Sequence, residues 1–154
     1  MKKKILFPTS AKGQSLVELA ISLVVLLYLL SGAAEFGVLF FQYVQLRDAA
    51  QEGALYGSTE PDPAADIETR ARAASDKPID LTSADVTVTI LIDGVAYDAA
   101  KACEGHALEV RVSYNHNIFM PFMPQLLGRS VIPLTATVTD TILAPYSAPG
   151  CTPL

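Results

Sequence analysis

Gly13, Gln14 and Glu18 are the residues of this sequence best placed to do chemistry. A lysine-rich start, with Lys2, Lys3, Lys4 and Lys12, ends at Gly13, and a long apolar run begins at once. An ionised glutamate near a bilayer core costs about 2.5–3.5 kcal/mol on insertion scales, so Glu18 needs a partner. Hydrolysis of the peptide bond between Gly13 and Gln14 would create one, the new α-amine of Gln14. The segment from Gln14 to Glu18 rises only about 6 Å along a helix. The amine of the same chain, or of a neighbour displaced along a shared axis, therefore comes near the carboxylate. Such a pair would set the register between subunits, the best attested use of a buried polar pair.

The remaining candidate groups are scattered. Glu35 is a second carboxylate inside the apolar run. It either snorkels or is protonated near the membrane exit, or it makes a polar contact between subunits. Cys103 and Cys151 are an even pair with nothing metal-like around them, and in an oxidising compartment they could form a disulfide. His106 and His116 read as isolated loop residues, with no Cys or carboxylate at a ligand spacing. Asp62, Asp66, Glu68, Asp76, Asp80 and Asp85 read as a solvated acidic face rather than an ordered calcium loop. No nucleophile elbow, phosphate loop or CxxC motif occurs. The sequence therefore predicts no enzyme, no metal and no cofactor.

These groups must be positioned by a helix. From Leu19 to Leu46 run 28 residues in which Glu35 is the only charged side chain. As a helix they would reach about 42 Å, against a hydrocarbon core of about 30 Å. No proline interrupts the chain between Pro8 and Pro61, so one continuous helix is predicted from about Ser15 to Gly57. The lysines before the apolar run, and the near-balance of Arg47, Asp48 and Glu52 after it, put the N-terminus in the cytoplasm and the rest outside. Over the whole 154 residues, 51% are apolar and 18% charged, which excludes a disordered polyelectrolyte. Eleven basic against sixteen acidic residues give a net charge of −5 and argue against nucleic acid as a partner.

Gly13 followed by Glu18 and a hydrophobic helix resembles the class III leader of type IV pilins, which prepilin peptidase cuts after the glycine. The rest of the helix narrows the resemblance. Gly13-Gln14-Ser15-Leu16-Val17-Glu18-Leu19-Ala20, then Glu35-Phe36-Gly37, then Leu46-Arg47-Asp48-Ala49-Ala50-Gln51-Glu52-Gly53-Ala54, then Tyr56-Gly57, is similar to the TadE-like family. Members of that family are pseudopilins of the tight-adherence (Flp) pilus system. The resemblance covers about residues 13–57, under a third of the chain. There are departures: Gln51 and Leu55 stand where basic residues are common, Gln14 is not Phe, and Leu19 is not the Tyr of the major Flp pilins. Those major pilins are also short, whereas this chain has a large C-terminal domain, which favours a minor pseudopilin. The resemblance implies prepilin peptidase, other pilins or pseudopilins, Tad assembly-platform membrane proteins and the lipid bilayer as partners.

Small residues recur along the helix. Ala49, Gly53 and Gly57 are four apart, and Ala33 and Gly37 repeat the spacing. Such stripes let backbones approach closely. Each glycine costs about 1 kcal/mol of helix propensity, which close packing would offset. The packing partner is either another subunit's helix or the chain's own sheet.

The part beyond the helix reads as a small α+β domain. Asp62 is expected to cap a short helix with Pro63 at its first position, ending near Ser75. Val86–Ile92 reads as a strand, Asp93-Gly94 as a hairpin turn and Val95–Tyr97 as a short return strand. Leu108–Tyr114 alternates apolar and polar residues, as does a last strand near Leu134–Leu143. The apolar loop Ile118–Pro124 is either a satellite core under the sheet or an exposed sticky patch at the membrane surface or a subunit contact.

The predicted organisation is a leader over 1–13, a transmembrane and assembly helix over 14–57 and an extracytoplasmic domain over 58–154. Two other readings remain open. One is a single-pass membrane anchor whose outer domain binds a ligand. The other is a secreted domain cut by ordinary signal peptidase at Ser31-Gly32-Ala33.

Overall fold

A computed structural model describes residues 11–144. Helix α1 spans Ala11–Thr59 without a break, so the apolar run and the alanine- and glycine-rich run that follows it form one rod. At 1.5 Å per residue the rod is about 73 Å long. It has two parts with different surroundings. From Gly13 to Ala34 no residue is buried, and Leu, Val and Ile side chains are exposed on every side. From Glu35 onward one stripe is buried: Glu35, Gln42, Gln45, Leu46, Ala49, Ala50, Gly53, Ala54, Gly57 and Ser58. Their three- and four-residue spacing is that of a single helix face.

A four-stranded antiparallel sheet covers that stripe. Its strands are β1 (Val86–Ile92), β2 (Val95–Ala96), β3 (Ala107–Asn117) and β4 (Val131–Thr141), in the order β2-β1-β3-β4. β1 and β2 are joined by a two-residue turn in which Asp93 and Gly94 have φ of 52° and 76°, the positive angles a tight hairpin requires. Helix α2 (Ala64–Arg72) packs beside α1 through Ile67 and Ala71. A short helix α3 (Met123–Leu127) sits in the β3–β4 connection. Leu46, Ala49, Ala50, Ala54, Ile67, Leu108, Val110 and Val112 form the centre of the core.

Polar clamps join the layers. Gln45 pairs its side-chain amide with the backbone of Ile79, donating to the carbonyl and accepting from the N–H, both at 2.7 Å. Arg72 donates to the carbonyls of Leu81 at 2.7 Å and Val86 at 3.1 Å while its Nε meets Glu68. The first clamp satisfies both backbone groups of Ile79 in an irregular segment that has no ladder of its own, and the second ties α2 to Leu81 and to the first residue of β1.

The α+β architecture is the one the sequence predicts, with shifted boundaries. α1 begins four residues earlier than expected, at Ala11. Asp62 does not cap α2. Its carboxylate accepts from the Tyr97 hydroxyl, and Pro63 takes the N-cap position. β3 extends to Asn117 and β4 starts at Val131, ahead of Pro133. Most of the expected leader, residues 1–10, and the tail holding Cys151 lie outside the described residues.

Candidate functional site

The two ends of the apolar run carry the candidate groups, and they have different surroundings. Gly13 and Gln14 lie in the first turn of α1, exposed. The N–H groups of a first turn have no acceptor within the helix, so this turn opens at little cost. Gln14 Nε2 donates to Glu18 Oε1 at 3.4 Å, both residues being exposed. Glu18 thus meets an amide one turn away, on the exposed surface of the helix.

Glu35 is 5% exposed and His116 4%, although they are 81 residues apart. His116 Nε2 lies 2.7 Å from Glu35 Oε1. The same carboxylate accepts backbone N–H groups from Met120 at 2.9 Å, through Oε2, and from Phe119 at 3.4 Å, through Oε1. With both oxygens already accepting, a hydrogen on Nε2 completes the arrangement, and a buried carboxylate is satisfied within its own chain. His116 also meets the edge of Phe119, ring centroids 6.5 Å apart. The sequence left Glu35 to snorkel, to be protonated or to reach another subunit, and placed His116 alone in a loop. Instead His116 is the last buried residue of β3, and Glu35 is its partner. The signal was present: Leu108, Val110, Val112 and His116 share the parity of β3's inward face.

His106 is not isolated either. Its Nδ1 lies 2.6 Å from Asp93 Oδ2, and Asp93 Oδ1 accepts the Ala107 N–H at 3.1 Å. The His106 hydrogen bond, then that of Ala107, hold the Asp93 carboxyl below its ordinary value. Among the described residues no three His, Cys, Asp or Glu side chains converge as a metal site would require. The acidic stretch is dispersed: Glu68 pairs with Arg72, Asp62 with Tyr97, and Asp80 accepts from Thr82.

The small-residue stripe divides in two. Ala49, Gly53 and Gly57 are buried against this chain's own α2 and β3. A methyl group on Gly53 would lie 3.0 Å from Ala71 Cβ and 3.3 Å from Val110 Cγ1. On Gly57 it would lie 2.8 Å from Ile67 Cδ1 and nearer still to Leu108 Cδ2. Of the two partners the sequence allowed, their own domain is the one they meet. Gly37 meets nothing within 4 Å and lines a shallow apolar groove with Ala34, Val38, Phe41 and Pro78. The loop after β3 also divides: Met120 is buried beside Gly32, while Phe119 and Phe122 are exposed. Cys103 is buried and disulfide-bonded, and Cys151 lies outside the described residues.

Residues 13–55 match the family model of TadE-like proteins, beginning on Gly13 itself. Over this stretch the helix is similar to that of TadE-like proteins. The match lies wholly within α1 and covers under a third of the 154 residues. The TadE-like segment ends inside α1, so the sheet domain lies beyond it. No curated protein and no solved structure matches the chain. The one long helix near the N-terminus is long and apolar enough to cross a membrane.

Proposed function

We propose that this chain is a minor pilin, or pseudopilin, of a tight-adherence pilus. Prepilin peptidase cuts it after Gly13, and the helix from Gln14 holds it in the cytoplasmic membrane with the sheet domain outside. From that pool it enters pilus assembly by packing its exposed helix beside those of other pilins, on the Tad assembly platform. The observation that carries this reading is the bare rod. None of the twenty-two residues from Gly13 to Ala34 is buried in the folded core, yet they are helical and almost wholly apolar. A surface of that kind is stable only in lipid or against other apolar helices.

Glu18 is the exception on that surface. Its cost in lipid falls if a cut after Gly13 places an α-amine within a turn of it, on the same chain or on a neighbour. The pair then sets the axial register of one helix against the next. Removal of residues 1–13 also takes away four of the eleven basic residues, leaving seven against sixteen acidic ones. The lysines keep the leader on the cytoplasmic side until then. A cut near Ala33 fits the molecule less well. It would remove Gly32 from against Met120 and leave Glu35 in a fraying first turn, where its buried bonds to His116 and Met120 need a rigid helix. A bridge between Cys103 and Cys151 would tie the tail to the sheet domain.

The N-terminal residue of the protein isolated from membranes tests the proposal. Gln14 is expected. Met1 would indicate a plain anchor, and a start at or near Ala34 a secreted domain; either overturns the reading.

A further inference from the structure

The β3–β4 connection hangs beside the helix at the level where the helix would leave the bilayer. Gln14 to Glu35 measures about 32 Å along α1, against a hydrocarbon thickness of about 30 Å. Glu35 fixes the connection to the helix at that level through the N–H groups of Phe119 and Met120. Met120 then reaches one turn further toward the N-terminus, its Sδ and Cε 3.7 Å from where a Gly32 Cβ would stand. The loop therefore descends toward the apolar run, not away from it.

Its chemistry suits a lipid surface. Ile118 to Gly128 contains no charged residue, and Arg129, exposed, follows at once. Phe119, Phe122 and Leu127 are exposed, Phe122 to 72%. Phe122 also has φ of 64°, a left-handed conformation that disfavours a bulky side chain. Its ring is thus held outward at a conformational cost, and among the described residues none covers most of it. Phe36, Phe40 and Phe41 are exposed on the neighbouring turns of α1. They continue the helix's apolar surface around the same level.

We propose that this loop is a second membrane contact. It seats Phe119, Phe122 and Leu127 at the boundary between headgroups and acyl chains of the extracytoplasmic leaflet, with Arg129 directed at lipid phosphates. The inference rests on α1 crossing that same bilayer. A foot beside the rod resists tilting of the sheet domain against the membrane, so the domain is presented to its assembly partners in a set orientation. The continuity of the loop with the apolar rod is what selects lipid as the occupant.

The chain has no tryptophan, so a single introduced indole reports from one place. The full chain carrying Phe122→Trp, or Phe119→Trp as a second reporter, is reconstituted in vesicles of phosphatidylethanolamine and phosphatidylglycerol. Val25→Trp, midway along the rod, reports separately on the span. The expected result is a blue-shifted Phe122→Trp emission that loses most of its intensity to lipids brominated near the headgroups. Lipids brominated near the chain ends should quench it less and should quench Val25→Trp most. A water-like, acrylamide-quenched Phe122→Trp and Phe119→Trp beside a deeply placed Val25→Trp overturns the foot and leaves the span standing. A water-like Val25→Trp overturns both. A shielded Phe122→Trp that bromine does not reach, and that becomes exposed as protein is diluted in lipid, means that a second copy covers the loop, and the proposal fails.

Discussion

The Glu35 carboxylate and the His116 imidazole lie 2.7 Å apart in the interior, joining the long helix to the far end of β3. This contact closes the lower edge of the sheet domain, where the rod emerges from it. It also accounts for a carboxylate in an apolar run without any second subunit. Burial of such a group is tolerated because its oxygens are met by the His116 ring nitrogen and by backbone N–H groups that would otherwise lack an acceptor.

Removing either partner should therefore destabilise the domain. Glu35→Ala strands the Met120 N–H and the His116 ring nitrogen, and His116→Ala leaves the carboxylate short of one donor. A cost of about 1–3 kcal/mol is expected for each, the penalty of a buried group left unpaired. The double variant should cost clearly less than the sum, because the groups share one bond. Denaturant unfolding of the detergent-solubilised chain, followed by circular dichroism, measures all three; strictly additive costs would show that the two side chains do not interact.

The helix glycines should respond in opposite directions. Gly57→Ala places a methyl group against Ile67 and Leu108 with no room for it, and overpacking of this kind costs about 1–3 kcal/mol. That exceeds the gain of about 1 kcal/mol from helix propensity. Gly37→Ala meets no neighbour within 4 Å, so the propensity gain stands and the variant should be slightly more stable. If Gly37→Ala is more stable and yet assembles poorly at equal protein level, the groove at Gly37 is a helix–helix contact in the pilus. If both variants unfold like the parent, the close approach at Gly57 is not what holds the helix to the sheet.

The alternation of Leu108 to Tyr114, the Asp93-Gly94 turn and the uninterrupted helix were legible in sequence because each is a local pattern with a fixed period. The Glu35–His116 contact was not, because it depends on strand length. β3 runs three residues past Tyr114 through Asn115, His116 and Asn117, whose polar side chains look like a loop. Pro133 hid the start of β4 in the same way, since a proline in a strand is admissible only where the edge leaves its nitrogen unpaired, and β4 is an edge strand. The glycine stripe could be seen but not assigned. A face of small residues fits a neighbouring helix or a sheet equally well, and only the fold shows which arrives. At the N-terminal end Gly13 and Gln14 fall inside α1, which starts at Ala11, rather than ahead of it, because no proline between Pro8 and Pro61 stops the helix from extending.

Asp93 gives the domain a pH dependence of known sign. The hydrogen bond with His106, then that from the Ala107 N–H, hold its carboxyl below the usual value in the folded state. A depressed value adds stability above the unfolded-state pKa of about 3.9, and that contribution is lost as pH falls through the folded value. The site is a partly exposed turn, so screening by water keeps the effect small. Asp93→Asn should be modestly less stable than the parent at about pH 5, and the difference should shrink as the pH falls below about 4. Denaturant midpoints of the two proteins across that range measure it; a difference that grows on acidification would contradict the assignment.

Glu18→Ala separates assembly from folding. The residue lies on the exposed part of the rod, it accepts from Gln14 one turn away, and from Gly13 onward the first buried residue of α1 is Glu35. Its loss should leave the unfolding midpoint of the sheet domain unchanged. Membrane insertion should be retained or slightly improved, since a charge costing about 2.5–3.5 kcal/mol in the apolar phase is gone. What should fall is incorporation into pili, because the Gln14 amine of a neighbouring subunit then has no acidic partner to fix its axial position. The measurement is the ratio of pilus-associated to membrane-held protein, at matched expression and with the N-terminus of each variant determined. Reduced incorporation of a correctly cut, correctly inserted Glu18→Ala chain would support the register pair. Full incorporation would show that helix packing alone sets the position, and Glu18 would then have no part in it.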